Sequence, residues 1–167
     1  VYEGTTGMRP GEPVEGTGGP MCAALGPGIL SNIFDGIERP LREIAAANGA
    51  FIPAGGDLPA LDMQKKWDVA MRVREGDRLT GGQIFAVCPE TSIIEHRAMV
   101  PPGLSGTAVD VRPDGAYTAG EALLTLQDDE GQAHPLSLTQ FWPIREPRPV
   151  ARRLPIDRPL ITGQRVI

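Results

Sequence analysis

The chain has 167 residues and a formal net charge of −5, with 41% hydrophobic and 22% charged side chains. This length and composition are typical of one globular domain, or of one domain and part of another. No apolar run approaches the 18 residues that a membrane-spanning helix needs, and the first residues lack the basic and apolar regions of a secretory signal. The acidic balance argues against general nucleic-acid binding.

Glycine and proline shape the expected fold. The chain holds 21 glycines and 17 prolines but only 5% aromatic residues, which favours many short strands and tight turns over a helical bundle. The two cysteines, Cys22 and Cys88, are too few for a disulfide framework or a Cys-x-x-Cys metal site. We therefore expect a mostly β, intracellular protein with two free, buried thiols.

Helical spacing of apolar residues is confined to one stretch, between a turn-rich start and a Pro/Gly loop over 50–66. The spacing predicts a helix that begins at Ile29, is interrupted at Pro40 and continues over 41–47. Asn48-Gly49 supplies a C-terminal stop.

From Trp67 onward the apolar period changes from 3.6 to 2. Trp67, Val69, Met71 and Val73 alternate with less apolar residues, which indicates a half-buried strand. Similar patterns predict further strands over 83–88, 92–100, 105–111, 121–127 and 136–142.

An internal repeat organises this region. Residues 73–83 recur as 111–121, 38 residues later, with Val-Arg, a Gly/Asp pair, a large apolar residue, Thr, and Gly before Gln or Glu. Two such strand–turn–strand units can pair face to face and bury a shared core. The expected core residues are Ile84, Val87, Ile94, Val109, Val111, Leu124 and Leu126. The glycines expected at tight turns or close backbone approaches are Gly76, Gly82, Gly106 and Gly120.

Over 70–127 the repeat resembles the lipoyl/biotinyl barrel-sandwich family, including the stretch 100–109. Carriers of that family attach their cofactor to a lysine at the hairpin that links the two halves. We place that link at 88–99, which contains no lysine, and arginine cannot be acylated in its place. The resemblance therefore implies the fold without the carrier function; a carrier would have to use Lys65 or Lys66, outside the expected position.

No other catalytic, cofactor-binding or metal-binding residues are predicted. His96 lies in a predicted strand and His134 in a predicted turn, and no His/Cys/Asp cluster has ligand spacing. Asp128-Asp129-Glu130-Gly131 fits a hairpin turn better than a calcium loop. Arginines spread through 143–159 are expected to pair with carboxylates of a neighbouring domain rather than with nucleic acid.

The whole chain also resembles the catalytic A (alpha) subunit of V-type and archaeal-type rotary ATPases. The motifs that carry this resemblance are Val1-Tyr2-Glu3-Gly4-Thr5-Thr6-Gly7-Met8-Arg9-Pro10-Gly11-Glu12-Pro13-Val14, Leu25-Gly26-Pro27-Gly28-Ile29-Leu30, Phe34-Asp35-Gly36-Ile37-Glu38-Arg39-Pro40-Leu41, Pro89-Glu90-Thr91, Ile94-Glu95-His96, Met99-Val100-Pro101-Pro102-Gly103, Trp142-Pro143-Ile144-Arg145-Glu146-Pro147-Arg148-Pro149 and Pro159-Leu160-Ile161-Thr162-Gly163-Gln164-Arg165-Val166-Ile167.

This second resemblance implies a piece of a longer subunit. Residues 1–49 would leave an N-terminal barrel, 50–142 would form the bulge specific to A subunits, and 143–167 would connect to a nucleotide-binding domain whose P-loop follows Ile167. The arms near 1–27 and 143–167 would normally pack on domains that are not part of this segment. We therefore expect these arms to be partly mobile in isolation. No catalytic, cofactor or metal residue of the family falls on this segment.

The resemblance also implies partners, cofactors and location for the parent subunit. The parent would use ATP and Mg²⁺, alternate with B subunits in a hexamer, and couple ATP hydrolysis or synthesis to proton or sodium transport. It would lie in the cytoplasm on the inner face of the membrane without inserting into it, and the bulge would contact stalk or stator subunits. The alternative is a stand-alone biotinyl/lipoyl-like β module that acts as a binding or scaffold domain without an attached cofactor.

Overall fold

The fold is described from a computed structural model that covers residues 4–16, 18–30, 32–53, 58–159 and 161–163. Over these residues the chain forms ten short strands and one helix. In chain order they are β1 (Cys22–Leu25), α1 (Leu41–Asn48), β2 (Lys66–Met71), β3 (Arg78–Thr80), β4 (Ile84–Pro89), β5 (Glu95–Met99), β6 (Ser105–Val109), β7 (Gly115–Thr118), β8 (Leu124–Gln127), β9 (Ala133–Leu136) and β10 (Gln140–Pro143).

Two four-stranded antiparallel sheets form the body of the molecule. One has the order β5-β4-β2-β7 and the other β3-β6-β8-β9, while β1 and β10 pair as a separate two-stranded ribbon. One cluster of buried side chains, including Trp67, Phe85 and Leu126, draws on strands of both sheets. The predicted mostly β architecture is confirmed.

The two sheets are related by the sequence repeat. Adding 38 to the numbers of β2, β3, β4 and β5 gives, within two residues at each end, those of β6, β7, β8 and β9. Exchanging each strand for its counterpart in the other half converts the order β5-β4-β2-β7 into β9-β8-β6-β3, which is the second sheet read from its other edge. Each half thus supplies three strands to one sheet and one strand to the other sheet. The predicted pairing of two repeat units is confirmed.

The shared Thr and Gln/Glu of the repeat have one structural role. The Thr80 backbone N–H donates to Gln83 Oε1 at 2.6 Å, and the Thr118 backbone N–H donates to Glu121 Oε2 at 2.6 Å. In both halves this contact closes the turn that leads into the next strand, because the backbone N–H of Gln83 or Glu121 also donates to the Thr carbonyl. The repeated residues are therefore turn-forming residues.

The core prediction is partly right. Val87, Leu124 and Leu126 are buried, whereas Val109 and Val111 are only half-buried. Ile84 and Ile94 were wrong, because they remain 36% and 45% exposed. A register shift between Ile84 and Ala86 interrupts the alternation of β4, so that Phe85, Ala86, Val87 and Cys88 are buried in succession. Ile94 precedes β5, in the turn after β4.

The helix prediction is wrong before Pro40. Among the described residues only Leu41–Asn48 is helical, and those between 29 and 39 form turns, bends and an isolated β-bridge from Phe34 to Pro40. The Asp35 carboxylate accepts hydrogen bonds from the backbone N–H groups of Ile37 and Arg39 at 3.0 and 2.9 Å, and Glu38 has a positive φ of 64°. A side chain that binds its own backbone in this way competes with helix formation. The predicted stop is confirmed, since the Gly49 N–H donates to Ala45 O with a φ of 73°.

The predicted strand over 136–142 overlaps only the last residue of β9 and the first three residues of β10. β9 ends at Leu136, the chain bends where the Thr139 N–H donates to Ser137 Oγ at 3.2 Å, and β10 then pairs with β1 in a different sheet. Sequence periodicity also missed β1, β3, β7 and β9, which are only three or four residues long. Strands of this length contain too few residues for apolar alternation to be recognised in the sequence.

The link between the halves was also misplaced. Residues 88–99 contain the turn between β4 and β5, inside the first half, whereas the halves join at 100–104, between β5 and β6. This joining turn contains Pro101, Pro102 and Gly103, and it too has no lysine. Of the quoted motifs, the start Val1-Tyr2-Glu3, Leu160 and the end Gln164-Arg165-Val166-Ile167 lie outside the described residues.

The expected glycine roles, a turn or a close backbone approach, are confirmed at all four positions. Gly76 and Gly82 have φ values of 91° and 85° in turns. A Cβ on Gly106 would overlap the backbone carbonyl of Gln127 on the neighbouring strand, so this is a close backbone approach. Gly120 lies in the turn from Thr118 to Glu121, and a Cβ there would meet only the flexible end of Met63.

We predict that Gly106→Ala destabilises the fold by at least about 2 kcal/mol, because backbone that is held in a β-ladder must move to admit the methyl group. Urea unfolding monitored by tryptophan fluorescence measures this change. Gly120→Ala is the matched control, since the Met63 side chain can turn away and the expected change is below about 0.5 kcal/mol. Equal effects of the two substitutions would contradict the prediction.

Candidate functional site

A cavity of about 380 Å³ lies between the first half of the repeat and the segment that follows β1. The cavity is lined mainly by apolar side chains, with polar side chains between them. The apolar residues include Leu25, Ile29, Leu30, Ile94 and Leu138, and the polar residues include Glu90, His96, Gln140 and Arg148. This mixture is typical of a ligand site or a docking site for apolar side chains.

One wall of the cavity is held by Glu90. Its Oε1 and Oε2 accept the Gly28 backbone N–H at 2.8 and 2.9 Å, and Oε1 also accepts the Leu30 N–H at 3.2 Å. Gly28 has a φ of 105°. Nearby, Glu38 accepts the Ala24 N–H at 2.7 Å. Two glutamates thus bind backbone N–H groups of the segment 24–30, which has no regular structure after Leu25.

His96 and Cys88 are register partners on β5 and β4. Burial lowers the pKa of His96, although the charge of Glu90 and a backbone hydrogen bond with Leu138 act in the opposite direction. Burial, and then the charges of Glu90 and Glu95, raise the pKa of Cys88 to about 11. At neutral pH the thiol is therefore protonated and shielded from solvent. This pair lacks the thiolate that nucleophilic catalysis requires.

Arg148 is the one described arginine of the 143–159 connector that is not exposed. Its guanidinium lies 4.6 Å from the centroid of the Trp142 ring, and its Nη2 donates to Gln140 Oε1 at 3.4 Å. The Gln140 amide in turn donates to the Met99 carbonyl. These contacts attach the start of the connector to β5.

The acidic turn between β8 and β9 is confirmed as a hairpin turn. Asp128 accepts the backbone N–H groups of Glu130 and Gln132 at 3.0 and 2.8 Å, and its Oδ2 lies 2.8 Å from His134 Nε2. Asp129 forms a bidentate pair with Arg78 at 2.6 and 2.7 Å. Within the described part of the chain, no group of three or more potential metal ligands occurs.

The two lysines do not lie at a position that fits a carrier. Lys65 Nζ stacks at 3.8 Å from the centroid of the Trp67 ring. Lys66 is the first residue of β2, in the middle of a sheet. Neither lies at the 100–104 turn that joins the halves.

The comparisons with known proteins identify the family. Residues 58–145 match the model of the ATP synthase alpha/beta subunit barrel-sandwich domain. The chain belongs to this family. The match covers the repeat, both four-stranded sheets and strand β10, so the fold resemblance found in the sequence is confirmed.

The chain is similar to the A subunits of ATP synthases along its whole length. It is 54% identical over 166 residues to the V-type ATP synthase alpha chain of Halothermothrix orenii, covering 99% of this chain. It is 48% identical over 167 residues, its full length, to the A subunit of the A-type ATP synthase of Methanopyrus kandleri. In both cases the chain spans 28% of the relative's length. Among the described residues, no helix has the length and hydrophobicity needed to cross a membrane.

We predict that Asp128→Asn flattens the acid side of the stability profile. The hydrogen bond with His134, and then those with backbone N–H groups, lower the pKa of Asp128 in the folded chain. The ionised carboxylate therefore stabilises the fold above the unfolded pKa of about 3.9, and this contribution is lost as the pH falls through the folded value.

Urea unfolding between pH 7 and pH 3 tests this expectation. Asp128→Asn should be less stable than the parent chain at pH 7 and converge with it at low pH. Glu130→Gln removes an exposed carboxylate from the same turn and controls for net charge. A constant difference between Asp128→Asn and the parent at every pH would contradict the prediction.

Proposed function

We propose that the chain is a non-catalytic part of the A subunit of a V-type or A-type ATP synthase. The observation that carries this proposal is the similarity along the whole chain to proteins of that name. The chemistry around the cavity supports it, because His96 has no activated nucleophile beside it: the thiol of its register partner Cys88 is buried and protonated. ATP and Mg²⁺ would bind elsewhere in the parent protein, and the segment itself would hold no cofactor.

The proposed division of the segment follows the expected parts of the parent protein. Residues 1–49 would lead from an N-terminal barrel, 50–142 would form the bulge, and 143–167 would connect to the nucleotide-binding domain. The ribbon of β1 and β10 supports a bulge that leaves and re-enters the parent protein at one place, since Cys22 is paired with Pro143.

The connector carries exposed apolar side chains between exposed arginines. Val150, Leu154, Ile156 and Ile161 are 76%, 68%, 94% and 89% exposed. Burial of such a side chain stabilises an interface by about 1.5–3 kcal/mol. This pattern supports packing of the connector against another domain of the same parent protein, next to a B subunit of the hexamer.

The turn between β4 and β5 is the proposed contact with a stalk or stator subunit. Ile93, at its tip, is 89% exposed, and isolated apolar side chains of this size serve as anchors when a partner pocket receives them. Such a contact would help couple ATP hydrolysis or synthesis to ion transport, on the inner face of the membrane.

Calorimetry tests the non-catalytic assignment. Titration of Mg-ATP into the 167-residue chain should give no binding heat, because the described cavity offers neither a Gly-rich phosphate loop nor a lysine. Submicromolar binding of Mg-ATP would contradict the assignment.

A substitution in the intact ATP synthase tests the stalk contact. Ile93→Asp should leave ATP hydrolysis within about two-fold of the parent enzyme but lower ATP-driven ion transport by at least about five-fold, because a charge replaces the apolar anchor. Gln132→Asp adds the same charge to the corresponding turn of the second half and is the matched control. Unchanged transport with Ile93→Asp, or equal loss with both substitutions, would contradict the proposed contact.

A further inference from the structure

The contact between Glu90 and the backbone of residues 28–30 joins parts of the chain that are 62 residues apart. Three N–H···O distances of 2.8, 2.9 and 3.2 Å converge on one carboxylate. Hydrogen bonds to an ionised acceptor are about twice as strong as those between neutral groups. Converging backbone N–H groups in a turn with a left-handed residue form a concave site for an anion.

The backbone that carries the Glu90 carboxylate is fixed by hydrogen bonds within its own turn. The Glu90 and Thr91 backbone N–H groups both donate to the Ile94 carbonyl, at 2.9 and 3.0 Å. Thr91 Oγ1 accepts the Ile93 and Ile94 N–H groups at 3.3 and 3.1 Å. These bonds close the turn after β4, so the Glu90 side chain extends from a fixed backbone and only its own rotamers have to be ordered when it binds.

The donor side depends on Gly28. Its φ of 105° is in the region that L side chains rarely adopt. Pro27 is buried beside it. The loop is therefore shaped to present the Gly28 and Leu30 N–H groups towards the barrel-sandwich rather than towards solvent.

We propose that the Gly28 and Leu30 N–H groups form a carboxylate-binding site, and that Glu90 occupies it to fix the 26–30 loop as a wall of the cavity. Gly26, Ile29 and Leu30 line the cavity from the loop side, whereas Ile94 and His96 line it from β5 and the residue before it. The distance between these two walls is then set by the Glu90 side chain. When Glu90 is removed, the loop separates from β5, while the β1–β10 ribbon keeps the rest of the segment in place.

Amide hydrogen exchange of the 167-residue chain tests this proposal. Glu90→Ala should raise the exchange rates of the Gly28 and Leu30 amides by at least about ten-fold, because local opening no longer breaks a charge-assisted contact. The amides of Leu124 and Leu126 in the core should keep their rates. Sodium formate, which supplies a free carboxylate, should restore slow exchange of Gly28 and Leu30; sodium chloride at the same ionic strength should not.

The matched control is Glu95→Ala. Glu95 lies five residues along the chain, and within the described part of the chain its carboxylate forms exposed ion pairs, at 4.0 Å with Arg72 and 3.5 Å with Arg97. It should leave Gly28 and Leu30 unchanged. Should Glu90→Ala fail to fold, Glu90→Gln preserves the shape of the side chain and should give a smaller increase in the same two amides.

Three results would overturn the proposal. One is exchange of Gly28 and Leu30 within about two-fold of the parent chain in the Glu90 variant that folds. Another is an equal increase in Glu95→Ala. The third is faster exchange in Glu90→Ala that formate does not reverse, which would show that packing, and not carboxylate recognition, holds the loop. None of these results depends on whether the chain is part of an ATP synthase.

Discussion

The structure depends on the exchange of one strand between its two halves. β7 belongs to the second half by sequence but pairs with β2 of the first, and β3 belongs to the first half but pairs with β6 of the second. Each sheet would lose an edge if the halves separated, and the apolar faces of both sheets would be exposed to water. Folding of one half therefore requires the other, which makes the repeat a single cooperative unit.

The strand exchange explains which features of the fold could be predicted from the sequence. The 38-residue period was visible because both copies must form the same turns, and the Thr80–Gln83 and Thr118–Glu121 contacts require the same residue types. The buried positions Leu124 and Leu126 followed from alternation in a regular strand. The exposure of Ile84 could not be predicted in this way. The register shift in β4 arises from its pairing with β5 and is not visible in the sequence of one strand.

Other features depended on contacts distant in sequence. The helix expected from Ile29 failed because Asp35 binds its own turn and because Glu90, far along the chain, binds the Gly28 and Leu30 amides. The cavity could not be foreseen for the same reason, since its walls come from segments around 25–30, 90–99 and 138–148. The position of the link between the halves also depended on the fold, since the sequence pattern placed it at 88–99 and the strands join at 100–104.

The β1–β10 ribbon has a mechanical consequence. The chain enters the barrel-sandwich along β1 and leaves along β10, and Cys22 and Pro143 face each other at the outer end. A force that pulls the two arms apart would load the outermost backbone hydrogen bonds first and open the ribbon one pair at a time. A force on the barrel-sandwich along the strand axis, with both arms held, would instead load both strands together. The ribbon is therefore weak towards separation of the arms and stiff towards displacement of the domain along its own axis.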